Sequence, residues 1–285
     1  MELLFGIEEA LVFVKVMFRF LIINFKNKIE IINLFFNECK ILINLLINSL
    51  KSCSQLNKMR VLVFDTETTG LPKTKILNKY MLELWPHIVQ FSYIIFDTET
   101  NTIVKLKDCI IKVPDSLVIS EDASKIHGIT NEISFSKGVN IVGVLDEFFD
   151  DFGTVEHIVG HNVSFDINMI KVELNRLLLD ALHIDKVSDY QEYLNILNDS
   201  KDIYCTMKES ISLCAIETKD KFGRNYNKFP KLIELYQKLF QISPNNLHNS
   251  LNDVIVCLRC FMKLKYNKDI VEYSPEVKQL IKEYL

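Results

Sequence analysis

The chain has no excess of positive charge. Its 285 residues carry 33 Lys and Arg against 37 Asp and Glu, a net charge of −4. This excludes a protein that coats nucleic acid by bulk charge; an enzyme working on nucleic acid would grip a short length locally or lean on a partner. Nor do the seven cysteines form a disulfide-like array. They sit mostly in apolar runs, where free cysteine behaves as a small core residue, and the odd count points to a reducing, intracellular compartment. Cys257 and Cys260 make one C-x-x-C, but no second pair or histidine pair stands at zinc-site spacing, so they read as two buried helix positions. Glu2, Glu8 and Glu9, with no small-residue cleavage site after a short apolar core, argue against a secretory signal peptide.

A clean apolar run of membrane-spanning length is also missing. Lys15 and Arg19 interrupt the first apolar stretch, short of the roughly 20 residues a span needs. The second, Ile29 to Leu50, is broken by Asn33, Asn37, Glu38, Lys40, Asn44 and Asn48, at spacings that suit an amphipathic helix. Three readings of residues 1–58 stay open: a membrane anchor or interfacial helix pair, a packing or partner-binding extension, or sequence upstream of a true start at Met59. The second and third are favoured over the anchor. The expected organisation is an apolar extension over 1–58, a main domain over 59–270 and a C-terminal helix over 271–285.

What is present is a core and a set of acidic motifs. The apolar fraction of 48% supports a real interior. Arg60 to Glu67, RVLVFDTE, reads as a short buried strand. Side chains two apart on a strand share a face, so Asp65 and Glu67 project side by side at its end. Two adjacent carboxylates repel unless a proton or cation lies between them, and magnesium favours such hard oxygen ligands. Taken alone, D-x-E is more often an exposed acidic turn.

A second motif, IVGHNVSFD (158–166), takes a short strand through a polar turn into an apolar-periodic helix opened by Asp166. Asp166 is a third carboxylate at a strand–helix junction, or merely a helix cap. The third motif is HNSLND (248–253). It follows PKLIELYQKLF, a helix with Pro230 near its first turn, and leads into the apolar helix VIVCLRCFMKL. Asp253 should fall in the first turn of that last helix, with His248 in the loop just before it. Residues 183–203 are polar and read as an inserted loop or short helix near the rim of the site.

The order D-x-E, H-N-x-x-x-D, H-x-x-x-x-D is specific as a set. Through FDTETTG (64–70), HNVSFD (161–166) and HNSLND (248–253) the chain resembles the DnaQ-like branch of the DEDD 3'→5' exonuclease superfamily, and in particular the proofreading exonuclease domains of DNA polymerase III epsilon type. PHIVQFSYIIFD (86–97), IHGIT (126–130) and FPKLIELYQKLF (229–240) add smaller matches. The resemblance covers about Arg60 to Lys265. It places the general base at His248. Asn249 stands where the tyrosine-type branch would carry Tyr, and Ser250 replaces the usual alanine.

The resemblance implies an α/β, ribonuclease H-like fold: a mixed sheet with helices on both faces, its first three strands antiparallel. It implies two divalent ions, Mg²⁺ or Mn²⁺, held by Asp65, Glu67, Asp166 and Asp253, with His248 accepting a proton from the attacking water; histidine suits that task near neutral pH. Thr66, Thr68, Gly70 and Leu71 would meet the terminal nucleotide, Leu71 as a wedge. His161 and Asn162 would line the substrate groove or be structural, and Phe165 would stack or join the core. The substrate expected is a frayed or single-stranded DNA 3' end, yielding nucleoside 5'-monophosphates in proofreading or repair, with a DNA polymerase in trans. An RNA-trimming enzyme and a non-catalytic nucleic-acid-binding module are the rival readings.

Overall fold

The computed structural model describes residues 60–180, 185–198 and 202–284; the expectations for residues 1–58 lie outside them. A five-stranded sheet is built from β1 (Arg60–Thr68), β2 (Ile88–Asp97), β3 (Thr102–Ile110), β4 (His157–Gly160) and β5 (Asp202–Cys205), in the order β3-β2-β1-β4-β5. β1, β2 and β3 pair antiparallel, while β4 joins β1, and β5 joins β4, in parallel. The sheet is the mixed one expected. β1 is its centre because its apolar residues alternate between two buried faces, as a strand covered on both sides requires.

Leu62 and Phe64 of β1 enter one core with Phe91 and Tyr93 of β2, Phe148 and Phe149 of α3 (Ile141–Phe152) and Met169 and Ile170 of α4 (Val163–Leu179), after the short helices α1 (Glu121–His127) and α2 (Asn131–Lys137). Val61 and Val63 enter the opposite core, with Val254, Ile255 and Leu258 of α7 (Ser250–Tyr266) and Val277 of α8 (Pro275–Tyr284). Between them in sequence lie α5 (Val187–Asn198) and α6 (Leu232–Phe240). The expected helices on both faces are therefore present. Cys257 and Cys260 are buried within α7.

Three local expectations need correction. Of the two readings of residues 183–203, the short helix holds over the described part, but it belongs to the core and not to the rim of the site. Their described part is dominated by α5, a 12-residue helix. Tyr190 and Leu197 of α5 are buried in the same core as α4, and Tyr193 stacks on Phe149 with ring centroids 4.1 Å apart. Second, Asp166 does not open its helix: α4 starts at Val163, which places Asp166 in the first turn. Third, Pro230 precedes α6, whose N-cap is Lys231; the Lys231 N–H donates to Glu234 at 2.7 Å.

A further two strands, β6 (Glu217–Lys219) and β7 (Asn225–Asn227), form a separate antiparallel hairpin. Among the described residues no helix is long and apolar enough to cross a membrane.

Candidate active site

Strand alternation decides where the acidic groups go. Asp65 and Glu67 share the parity of Val61 and Val63, so they extend toward the face covered by α7. Asp253 is in the first turn of α7. Carboxylate oxygens of Asp65, Glu67 and Asp253 all lie within 4.8 Å of one another. Thr66 has the opposite parity and turns toward α4, where its N–H (3.0 Å) and hydroxyl (2.8 Å) both donate to one oxygen of Asp166. Asp166 is not a helix cap: its bonds run to β1, and the N-cap residue is Asn162.

The four groups perturb one another. Burial, then the charges of Asp166, Asp253 and Glu67, holds the Asp65 carboxyl well above the usual range. Burial and the neighbouring Asp253 and Asp166 push Glu67 up to about 8. Asp166 rises to about 7 through burial, opposed by its bonds from Thr66. Burial also lifts Asp253 to about 7 against an N–H bond from His248. No Lys, Arg or His side chain pairs with any of the four among the described residues. Half-buried carboxylates gathered without a counter-cation fit a hard divalent ion, which prefers oxygen donors and relieves the repulsion. The close trio is Asp65, Glu67 and Asp253; Asp166 stands beside it, held by Thr66.

His248 lies where expected, exposed in the loop before α7. Its backbone is left-handed at φ 69°, and its N–H reaches an Asp253 oxygen at 3.4 Å. His161 is different. Its Nδ1 lies 3.0 Å from Thr206 Oγ1, and its Nε2 meets the Pro230 carbonyl at 3.0 Å. Burial lowers its pKa to about 4. Both ring nitrogens are thus engaged within the fold, which favours the structural reading over the groove-lining one. Asn162 is exposed with φ 66° and makes no side-chain capping bond. Phe165 packs against the core.

The end of β1 is braced. The Thr68 hydroxyl donates to the Gly70 carbonyl at 2.7 Å. His127, the histidine of IHGIT, accepts from the Ile129 N–H through Nδ1 at 3.1 Å. Its Nε2 is therefore the donor, toward the Thr68 carbonyl at 3.2 Å. The hydroxyl of buried Ser250 donates to the Asp65 carbonyl at 2.6 Å, and its N–H donates to Gln90 Oε1 at 3.2 Å. His127, Gln90 and the bracing role of Ser250 escaped the motif reading, although IHGIT had marked the first. Leu71 is 85% exposed. It borders a cleft of about 760 Å³ shared with Thr69, Gly70, Lys73, Tyr80 and Trp85. None of the four carboxylates lines that cleft.

With this geometry in view, three comparisons bear on it. The family model described as exonuclease matches residues 62–261. The DNA polymerase III subunit epsilon of Buchnera aphidicola subsp. Schizaphis graminum is 31% identical over 148 residues, covering 51% of this chain and 55% of that protein. The subunit of the same name from Buchnera aphidicola subsp. Acyrthosiphon pisum is 24% identical over 217 residues, covering 74% and 84%. The chain therefore spans little more than half of the first relative. A solved exonuclease I structure aligns with a TM-score of 0.50 at 19% identity, over 78% of this chain and 43% of that one. This likeness concerns the fold alone. The matched region runs from the strand that carries Asp65 to the helix that carries Asp253, and on that ground the chain is a DnaQ-like member of the exonuclease family.

Proposed function

We propose that the protein hydrolyses phosphodiester bonds at DNA 3' ends, single-stranded or frayed, releasing nucleoside 5'-monophosphates. The observation that carries the reading is the half-buried cluster of Asp65, Glu67 and Asp253 with buried Asp166 beside it, raised in pKa and without a basic partner. Asp65, Glu67, Asp166 and Asp253 would hold two Mg²⁺ or Mn²⁺ ions. Ions bound there would supply Lewis-acid activation of water and neutralise charge on the phosphate oxygens.

The chain's own residues do the rest. His248, exposed beside Asp253, accepts the proton of the attacking water. The new bond forms at phosphorus, and the bond from phosphorus to the 3' oxygen breaks. Thr66 fixes Asp166, and His127 fixes the backbone at Thr68. The backbone from Thr66 to Gly70 contacts the terminal sugar, and exposed Leu71 wedges against its base. The chain's negative net charge suits an enzyme to which ends are delivered, in keeping with a polymerase partner in trans inside the cell.

The test is cleavage of 5'-labelled oligonucleotides by the full chain with Mg²⁺, using single-stranded DNA, a mismatched primer end and RNA side by side. A ladder shortening from the 3' end on DNA, lost in Asp65→Ala and after chelation, is the expected result. Cleavage of RNA alone would move the reading to an exoribonuclease. No cleavage of any strand would overturn it.

A further inference from the structure

The β6–β7 hairpin has no place in the hydrolysis described above, and its surface carries exposed cations beside exposed aromatic rings. We infer that it is an auxiliary clamp for single-stranded nucleic acid, gripping the strand several nucleotides away from the end held at the carboxylates. The inference rests on the proposed function for the identity of that strand.

Composition is the first ground. Residues 217–231 contain Lys219, Lys221, Arg224, Lys228 and Lys231 against Glu217 and Asp220, in a chain whose net charge is −4. Arg224 pairs with Asp220, and Lys228 with Glu234. Lys219, Lys221 and Lys231 are exposed and form no ion pair among the described residues. Aromatic rings alternate with these cations: Phe222 is 70% exposed, Tyr226 50% and Phe229 54%. Cationic side chains beside exposed aromatic rings suit an unpaired strand, whose phosphates take the charges and whose bases stack on the rings. A duplex would use the charges and leave the rings in water.

The second ground is that the exposed tip is organised. Asp220 accepts from the Phe222 N–H at 2.8 Å and the Arg224 N–H at 2.9 Å, and Gly223 turns the chain at φ +79°. The Lys221 ammonium and Arg224 guanidinium lie 5.0 and 5.3 Å from the Phe222 ring centre. Two-stranded hairpins on their own are marginal in water, yet this one is fastened at both ends. The Lys228 N–H donates to the Ile216 carbonyl at 2.9 Å, closing the base. Pro230, just beyond it, holds His161 through its carbonyl at 3.0 Å. His161 begins the motif that ends in Asp166, and the β1–β4 register Val63↔Val159, carried on two residues, sets His161 level with Asp65. The hairpin therefore rises from the end of the sheet that bears the carboxylates. Seven or eight residues separate its tip from Pro230, a reach of at most about 29 Å.

The clamp predicts length dependence. Strand-binding surfaces of this type take roughly 4–16 nucleotides, and an oligonucleotide of about three cannot span both sites. Two combined variants test this in the full chain: Phe222→Ala with Tyr226→Ala, and Lys219→Ser with Lys221→Ser. Each is read as KM for an oligonucleotide of about 3 and one of about 15 nucleotides. The expected loss on the long strand exceeds that on the short one by roughly tenfold or more. The lysine variant also flattens the salt dependence of binding.

Binding of a fluorescent long strand, measured without divalent ions, separates the two claims. If no strand is cleaved but both variants bind more weakly, the clamp stands and the nuclease reading falls. If wild-type protein cleaves and the variants match it at both lengths with unchanged circular dichroism, the clamp is overturned. The hairpin would then face a protein partner.

Discussion

Asp65 and Thr66 are neighbours in the chain and face opposite cores, and that alternation is what lets one strand serve both α7 and α4. Thr66 offers a sharp test. Thr66→Val keeps the shape and the backbone bond to Asp166 but removes the 2.8 Å hydroxyl bond. Removing an outer-shell partner of a metal ligand costs roughly 10–100-fold in metal affinity or activity, so Mg²⁺ titration of activity should shift to higher concentration by that factor. Asp253→Asn should split activity from stability. It removes one of the crowded like charges, so it should abolish cleavage yet raise the unfolding free energy of metal-free protein at pH 8, read by urea denaturation, by roughly 1–3 kcal/mol. His161 shows the opposite pH sense. Its pKa is lowered to about 4 when folded, so between that value and about 6.5 the unfolded chain binds the extra proton and stability falls as pH falls. His161→Gln should shift the urea midpoint at pH 4.5, relative to that at pH 7, upward compared with the same difference in wild type; no change in that difference would show that His87, also lowered to about 4, carries the histidine effect.

At the scale of elements, legibility followed the kind of signal available. β1 could be read because β-branched residues at both parities mark a strand covered on two faces, and α7 because VIVCLRCFMKL is strongly apolar; its N-cap at Asn249, whose side chain accepts from the Asn252 N–H, is visible only in the structure. α5 was read only as a loop or short helix at the rim because its polar residues outnumber its buried ones. Yet Tyr190, Tyr193, Leu194 and Leu197 repeat at helical spacing, and that stripe is what packs against α3 and α4. Tyr190→Ala measures the difference. Tyr190 is fully buried, so the truncation should cost about 3–5 kcal/mol in chemical denaturation, whereas a surface loop would lose within about 0.5 kcal/mol. The carboxylate motifs were legible for a similar reason: each sits where a strand ends or a helix begins, and that punctuation is local. The braces from His127, Gln90 and Ser250 are not local. They join residues far apart in sequence, as with the 2.6 Å bond from Ser250 to the Asp65 carbonyl, and no periodicity announces them.

For the molecule as a whole, the fold assembles a site that it does not itself stabilise. Four carboxylates, one buried and three half-buried, are brought together by β1, α4 and α7, and desolvation raises every one of them. An acid whose pKa is higher folded than unfolded binds more protons in the native state, so its contribution is present below the unfolded value of about 4 and is lost as pH rises. For Asp166 and Asp253 that loss extends to about 7, and for Glu67 to about 8. Metal-free protein should therefore melt at a lower temperature at pH 8 than at pH 5.5. A bound divalent ion reverses the balance, because it needs the ionised forms that the empty cluster disfavours, and its binding adds to native stability by mass action. Saturating Mg²⁺ should raise the melting temperature by several degrees at pH 8 and by far less at pH 5.5, where protons compete for the same oxygens. Calorimetry at the two pH values, with and without chelator, reads this directly. An equal rise at both would mean that the ion is not held by this cluster, and Asp65→Asn with Glu67→Gln should remove the pH 8 increment while leaving the fold intact.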